Sequence, residues 1–563
     1  MSKHDLTEDR LSEEKMSTPD AGRLIRRREL LKDGAALVAT GTGLAMLGQL
    51  TTRTQRLFAA PRQSARDTIV VGWHQLQQSL DPIKQNDLGY AVQVSETMWR
   101  LEGGSPQIKP SLATDWQTSS DGKEWTFKIR RGVRFHDGTP MNAKDIQFAF
   151  DRWMNPKNPL HDPPYGAVSY HWRALQRVQV IDNYTFKIIL KRVDPAFDST
   201  MLYPFMGIVS PTALKRLGNQ GFGLKPVFTG PWRVAEWNKG TRLVFERFDR
   251  YYGRRPLSRR LIFRPVIEDA VRLGQLQSGE VDVISQVPPQ FLSAIQSDPN
   301  LRLLQAEGNH IWWITLNVRD GPTADKRVRQ ALNYAINKEA IVRDLLKGGA
   351  TVAAGPIMVP SWARDPTLRP YPYDPKKAKE LLDAARYPDG FRIRFWVPQG
   401  GSGMLAPTEI ATVVQAQLRE VGVVAEIVPE EWASYLDHYS SEGLSPKGKP
   451  AFAMAEMSWN TPTPDPYLSI PDNLSSAGHP PHGYNSGYYA NSKVDQLLND
   501  ASTTIDRGRR KSLYFQAQRI IYDEAPWIFM FSGKNLMATR KNVTGLEVSP
   551  CPWWFDFTRT QKG

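Results

Sequence analysis

The sequence predicts an α/β protein with mixed sheets, and three observations carry that prediction. Stretches with apolar residues at every second position alternate with stretches whose apolar residues recur at helical spacing. Pro- and Gly-rich segments (Asn155–Tyr165, Gly348–Tyr373 and Thr461–Gly487) separate groups of them. The composition is globular, 40% hydrophobic and 23% charged over 563 residues, which is room for about three or four domains.

Residues 1–60 precede this pattern and read as an address rather than as part of the fold. A polar lead, Met1 to Gly22, runs into Arg26-Arg27-Arg28-Glu29-Leu30-Leu31-Lys32, and a mild apolar stretch from Gly34 to Leu50 leads on to Ala59-Ala60. Positive charge, a short apolar region and small residues are the parts of an export signal, and the stretch is too short and too diluted by glycine and threonine to span a bilayer. It resembles a twin-arginine signal, with Arg27 and Arg28 as the pair. No cysteine lies near the apolar region, so the expected product is soluble, extracytoplasmic (periplasmic or beyond) and released rather than lipid-anchored.

Beyond the signal the elements follow in order. Trp125, Phe127 and Ile129 lie opposite Thr126, Lys128 and Arg130, which marks a half-buried strand; Tyr184, Phe186, Ile188 and Leu190 repeat the period. Leu243 and Phe245 alternate with Val244 and Glu246. A helix is predicted over Lys326–Leu346, with Val328, Leu332, Ala335, Val342 and Leu346 on one stripe before Gly348-Gly349. A second is predicted over Thr408–Val421 with Gly422 as its C-cap, followed by a strand over Val423–Val428.

Several function classes drop out on residue chemistry. The single cysteine, Cys551, excludes a disulfide framework, a thiolate metal cluster and a Cys-x-x-Cys pair. The net charge of +14 is spread along the chain with acids among the bases, so no stripe for nucleic acid forms. Among nine histidines there is no His-Glu-x-x-His helix, and no Gly-x-Ser-x-Gly elbow occurs. Gly400-Gly401-Ser402-Gly403 lacks the Lys-Ser/Thr ending of a phosphate loop and reads as a turn; His479 and His482 read as solvated loop residues, and His136-Asp137 as a structural turn. With no nucleophile–base or metal constellation, an enzyme such as a secreted hydrolase is disfavoured, and no cofactor or metal is expected.

The order of short segments is more specific. Leu112-Ala113-Thr114-Asp115-Trp116, Asp121-Gly122-Lys123-Glu124-Trp125-Thr126-Phe127 and Gly132-Val133-Arg134-Phe135-His136-Asp137-Gly138 come first. Asp145–Phe150, Gly230-Pro231-Trp232, Leu276–Val283, Val328–Ile336 and Asp374-Pro375 follow. In this order the mature chain resembles the extracytoplasmic solute-binding proteins of family 5, the oligopeptide/dipeptide-type receptors of ABC importers. The resemblance implies a two-lobed type II periplasmic-binding-protein fold with an extra inserted domain and a hinge of two crossing segments. Residues 66–110, 225–315 and 530–563 would form lobe one, 111–224 the inserted domain and 316–529 lobe two, with crossings near Asn309–Asn317 and Ala525–Gly533. It also implies a monomeric receptor, with a membrane permease and ATPase complex as partners alongside the ligand and, for the precursor, the twin-arginine machinery.

For the site, the resemblance singles out Trp459-Asn460, at the end of an apolar strand, as cleft-lining. Relatives that bind peptides carry an acid three places after that Trp for the ligand's amino group; here that place is Pro462, with Asp465 close by. Dipeptide-binding relatives carry an arginine after the strand matching Phe395-Trp396-Val397, and here the stretch Pro398–Gly403 has no basic residue. A buried zwitterionic dipeptide would leave its charges unpaired, at several kcal/mol per ion, so free dipeptides are disfavoured. Two ligand classes stand. One is a longer peptide held by its backbone. The other is a neutral oligosaccharide or opine-like conjugate, stacked on Trp459, Trp313 and Trp396, with Gln399, beside Gly400, and Asn460 bonding its hydroxyls. Some relatives bind nickel chelates or haem, and these stay open as ligands.

Overall fold

Two long strands organise the molecule. In the computed structural model, which describes residues 67–563 apart from 76, 85–87, 163–173 and 402, Leu301–Leu316 and Trp527–Arg540 run side by side through an 11-stranded mixed sheet. The export signal, Arg27 and Arg28 included, lies outside the described residues. The two long strands are antiparallel, from Leu301 opposite Arg540 to Thr315 opposite Trp527.

Their outer partners change along their length. His310–Leu316 pairs with Met454–Asn460, beyond which come Phe391–Pro398 and Val423–Glu430. Met537–Thr539 pairs with Val283–Ser285, beyond which come Thr68–Trp73, Arg260–Pro265, Arg242–Arg247 and Trp232–Asn238. The sheet is thus two half-sheets joined through two strands, and the register between these strands shifts from Glu307 to Ile311. The change of partner falls at Gly308–His310 and Ser532–Lys534, so His310–Thr315, assigned from sequence to the first lobe, hydrogen-bonds within the second half. Both faces of Ile311–Thr315 are buried, which is why that stretch reads as a uniform apolar run with no visible boundary.

Residues 113–190 form a separate antiparallel sheet in the order Ala113–Thr118, Glu124–Ile129, Thr185–Leu190, Leu175–Asp182. The helix Ala143–Met154 starts on a capping box, in which Asn142 accepts from Lys144 N at 2.9 Å and Asp145 from Asn142 N at 2.7 Å. Phe127, Phe186 and Ile188 of this sheet share one core with Trp99, Trp232 and Phe263 of the first half. The second half buries separate cores on the two faces of its sheet, one holding Trp312, Ile314 and Phe531, the other Trp313, Trp396 and Trp527. That is the alternation of a strand covered on both sides.

Two helix predictions had different outcomes. The helix Pro407–Glu420 ends at Gly422, whose φ of +88° suits a residue without a β-carbon. The stripe over Lys326–Leu346 is broken: one helix covers Lys326–Tyr334, and Asn337 caps a second turn by accepting from Ala340 N at 2.9 Å. An asparagine side chain that bonds its own backbone competes with helix continuation, and periodicity alone does not register this. Val244, assigned to the outer face of its strand, is buried as well.

Candidate ligand-binding site

Phe391–Pro398 and Met454–Asn460 run parallel, and the second ends opposite His310, at the crossover between the half-sheets. In open α/β sheets the crevice beyond the carboxyl ends of such strands is the usual ligand position. The loop that leaves Asn460 is tied to both halves through fully buried Asn309. Asn309 donates from Nδ2 to the Pro462 carbonyl at 3.0 Å and from its backbone N to the Pro550 carbonyl at 2.8 Å, and its own carbonyl accepts from Thr461 N at 3.0 Å. Beside it, Trp312 Nε1 donates to the His310 ring at 2.8 Å.

Against this frame the residues singled out from sequence separate. Trp459 is half-buried, donates from Nε1 to the Leu468 carbonyl at 2.9 Å and meets Tyr484 edge-on at 4.8 Å. Asn460, also half-buried, follows it on the opposite face of the strand. Gln399 is exposed, its backbone N donating to the Glu430 carbonyl at 2.9 Å, and Gly400 beside it is half-buried.

Trp313 and Trp396 are corrected to core residues. Trp313 is 2% exposed, stacks on Trp527 at 4.0 Å and donates to Thr315 Oγ1 at 2.8 Å. Trp396 is 4% exposed, stacks on Phe452 at 4.7 Å and donates to Glu430 Oε2 at 2.8 Å. Their ring faces are spent on protein neighbours because both strands are covered on both sides. Asp465 is corrected too: it accepts from Arg510 Nη2 at 2.6 Å and from Tyr467 N at 3.0 Å, so its carboxylate is committed to a buried ion pair and a helix cap.

The loop carries one feature that sequence reading missed. Thr463 Oγ1 lies 2.6 Å from Ser199 Oγ of the inserted segment, and Arg510, itself 3% exposed, reaches the Pro195 carbonyl at 3.2 Å. Next to these contacts a cleft of about 690 Å³ opens between Arg192, Asp194 and Thr200 on one side and Tyr467, Ser475 and Asp495 on the other. Arg510 stands in the basic run Arg507-Gly508-Arg509-Arg510-Lys511, so no local pattern marks it as the buried one.

The family profile of bacterial extracellular solute-binding proteins, family 5, matches residues 107–480. The chain belongs to that family. Among curated relatives of this solute-binding protein, the glutathione-binding protein GsiB of Pectobacterium atrosepticum is 31% identical over 501 residues, covering 88% of this chain and 94% of its own. Among solved structures, HbpA2 from Haemophilus parasuis superposes with a TM-score of 0.78 at 27% identity, covering 88% of this chain and 100% of its own. The ABC transporter-associated periplasmic binding protein DppA from Helicobacter pylori, in complex with the peptide STSA, superposes with a TM-score of 0.74 at 25% identity, covering 88% of this chain and 98% of its own.

Membership makes the chain the solute-binding receptor of an ABC importer, a binding protein and not an enzyme. His136 is held between Gly230 O, 3.0 Å from Nε2, and Phe228 N, which donates to Nδ1 at 3.3 Å, while Asp137 accepts from Ser210 Oγ at 2.6 Å. The His136-Asp137 pair is spent on a turn rather than poised for proton transfer. His479 Nε2 bonds the Tyr489 carbonyl at 2.9 Å. Among the described residues no group of three or more His, Cys, Asp or Glu side chains is placed to hold a metal ion, and no helix is long and apolar enough to cross a membrane.

Proposed function

We propose that this solute-binding protein captures an oligopeptide-class solute outside the cytoplasm, between the two half-sheets, and hands it to its permease by bending at the two long strands. The observation that carries the reading is the single pair of strands shared by the half-sheets, with the Asn460–Asp465 loop at the crossover. Two connecting strands permit rotation of one lobe against the other with little loss of packing, as hinge closure requires. The peptide class is supported by the glutathione-binding relatives and by the peptide-bound DppA neighbour. Lobe boundaries, on this reading, follow the change of strand partners at Gly308–His310 and Ser532–Lys534.

Trp459 and Asn460 are proposed to line the cleft, with Gln399 and Gly400 at its rim; the exported form is proposed to be a soluble, unanchored monomer. The missing basic side chain in Pro398–Gly403, Pro462 in place of an acid and the commitment of Asp465 to Arg510 favour a second reading, a neutral ligand such as an oligosaccharide or opine-like conjugate. Isothermal calorimetry with glutathione, a tripeptide pool, a free dipeptide pool and an oligosaccharide pool decides between them. Binding of the tripeptides or glutathione supports the first reading, and binding of the oligosaccharides alone replaces it with the second. Tight binding of free dipeptides would show that charged clamps exist elsewhere in the cleft.

A further inference from the structure

The inserted segment and the second lobe touch through a compact set of polar groups. Ser199 Oγ and Thr463 Oγ1 are 2.6 Å apart and buried. One guanidinium, that of Arg510, donates from Nη1 to the Pro195 carbonyl of the inserted segment and from Nη2 to Asp465 of the second lobe. Asp194 Oδ1 accepts from Ala196 N at 3.0 Å and Asp198 Oδ1 from Ser199 N at 2.7 Å, which fixes both carboxyls at this contact. Nearby, a β-carbon on Gly122 would lie 2.5 Å from Ile505 Cδ1, so the inserted segment also rests on the second lobe through an apolar contact.

The charges do not balance when this contact is closed. Asp198 and Asp465 share the Arg510 guanidinium, while the cation beside Asp194 is Arg192, so three carboxyls meet two guanidinium groups here. Arg192 sits at the cleft margin, Tyr514 is buried nearby, half-buried Tyr467 lines the cleft with Asp472, His482 and Asp495, and Arg507 is turned onto Trp362. Burial, helped by Asp198 and Asp465, pushes the Asp194 carboxyl up to about 7, and burial with Asp465 raises Asp198 as well. When the contact opens, both groups return to water and to the ordinary carboxylate range of about 4. The closed form therefore holds more protons than the open form between about pH 4 and pH 7, and linkage requires acid to favour closure and alkali to oppose it.

We propose that Asp194, Asp198, Asp465, Arg510 and the Ser199–Thr463 pair form a proton-controlled latch between the inserted segment and the second lobe, so that the closed population rises as the medium turns acid and falls as it turns alkaline. The latch rests on the reading of lobe closure given above and adds to it a control that acts without ligand. It couples to the cleft directly, because Thr463 stands four residues after Trp459 in the loop that closes the site.

Spin-label distance measurements on the full chain without ligand test it. Labels go on Ile181→Cys and Lys493→Cys, both exposed, while native Cys551 is fully buried and stays unlabelled. Between pH 5.5 and pH 8.5 the closed-to-open ratio is expected to fall about tenfold, a fraction of what one fully coupled proton allows. Asp194→Asn with Asp198→Asn keeps the acceptor oxygens and is expected to abolish that pH response. Thr463→Val removes the Ser199 bond and is expected to lower the closed fraction at both pH values while keeping the response. Two distance populations whose ratio ignores pH in the parent chain, or a double variant that responds as the parent does, overturns the latch. A closed fraction unchanged by Thr463→Val removes the Ser199–Thr463 pair from it. A single distance under every condition, ligand pools included, counts instead against lobe closure itself.

Discussion

Gly308 and Gly533 face each other where the two long strands change partners, so closely that a β-carbon on Gly308 would lie 2.5 Å from the Gly533 carbonyl oxygen. A backbone oxygen cannot move aside as the end of a flexible side chain can. The two strands therefore approach here only because one of them has no side chain. Just beyond, a β-carbon on Gly533 would meet the His310 ring at 3.0 Å and the Trp312 ring at 3.1 Å. The crossover is thus packed from both strands by specific small residues.

Gly308→Ala is accordingly expected to destabilise the fold by about 1–3 kcal/mol, the usual cost of overpacking. Denaturant unfolding measures it. Gly533→Ala meets ring edges rather than backbone and is expected to cost less. Equal stability of Gly308→Ala and the parent would show that the strands separate freely at this point.

Truncating tryptophans should separate cleft from core. Trp459→Ala is expected to weaken binding of the calorimetrically identified solute by about 1–3 kcal/mol, with folding retained. Trp313→Ala removes a ring stacked on Trp527 and fully enclosed, and is expected to cost about 3–5 kcal/mol of stability. Unchanged affinity in Trp459→Ala would return that ring to the core as well.

The acid missing from the loop can be supplied. Pro462 is buried and its carbonyl accepts from Asn309 Nδ2, a bond that any residue preserves, so Pro462→Asp is expected to improve binding of ligands with a free amino terminus at some cost in stability for the buried carboxylate. Asp465→Ala is expected to behave differently. It strands a buried guanidinium and should cost about 3–5 kcal/mol of stability, whatever it does to binding. Comparing unfolding and calorimetry for the two variants checks both statements.

The His136 contribution to stability should fall with mild acid. His136 is bonded as a neutral ring, with Nε2 donating to Gly230 O and Nδ1 accepting from Phe228 N, and burial pushes its pKa down to about 4. The unfolded chain takes up the proton at about pH 6.5. The unfolded state therefore binds more protons across that window, and stability is lost as pH falls from about 6.5 toward 4. A loss of about 1–2 kcal/mol is expected, discounted for the ring's partial exposure. Because the raised Asp194 carboxyl acts with the opposite sign over the same window, the readout is the difference between the parent and His136→Gln, and identical pH profiles for the two would contradict the assignment.

Export is testable apart from binding. Arg27→Lys with Arg28→Lys is expected to leave folded precursor in the cytoplasm, as fractionation would show. Normal extracytoplasmic accumulation of that double variant would exclude the twin-arginine route.

Periodicity and segment order were enough to establish the α/β class, the family and the receptor role. Those depend on local patterns: alternation in Trp125–Ile129, the glycine stop at Gly422, and short segments repeated in family order. The site was legible only as a neighbourhood. Trp459 and Trp313 look alike in sequence, each within an apolar run, yet one is half-buried beside the loop and the other is sealed against Trp527. Only the pairing of Met454–Asn460 with His310–Leu316 decides which faces are covered. Arg510 is one of three arginines within four residues, and its burial against Asp465 and Pro195 depends on two segments more than 40 and 300 positions away. A residue's own surroundings in sequence carry hydrophobicity and backbone preference. Burial, partners and ionisation belong to contacts between distant segments, and those exist only once the chain has folded.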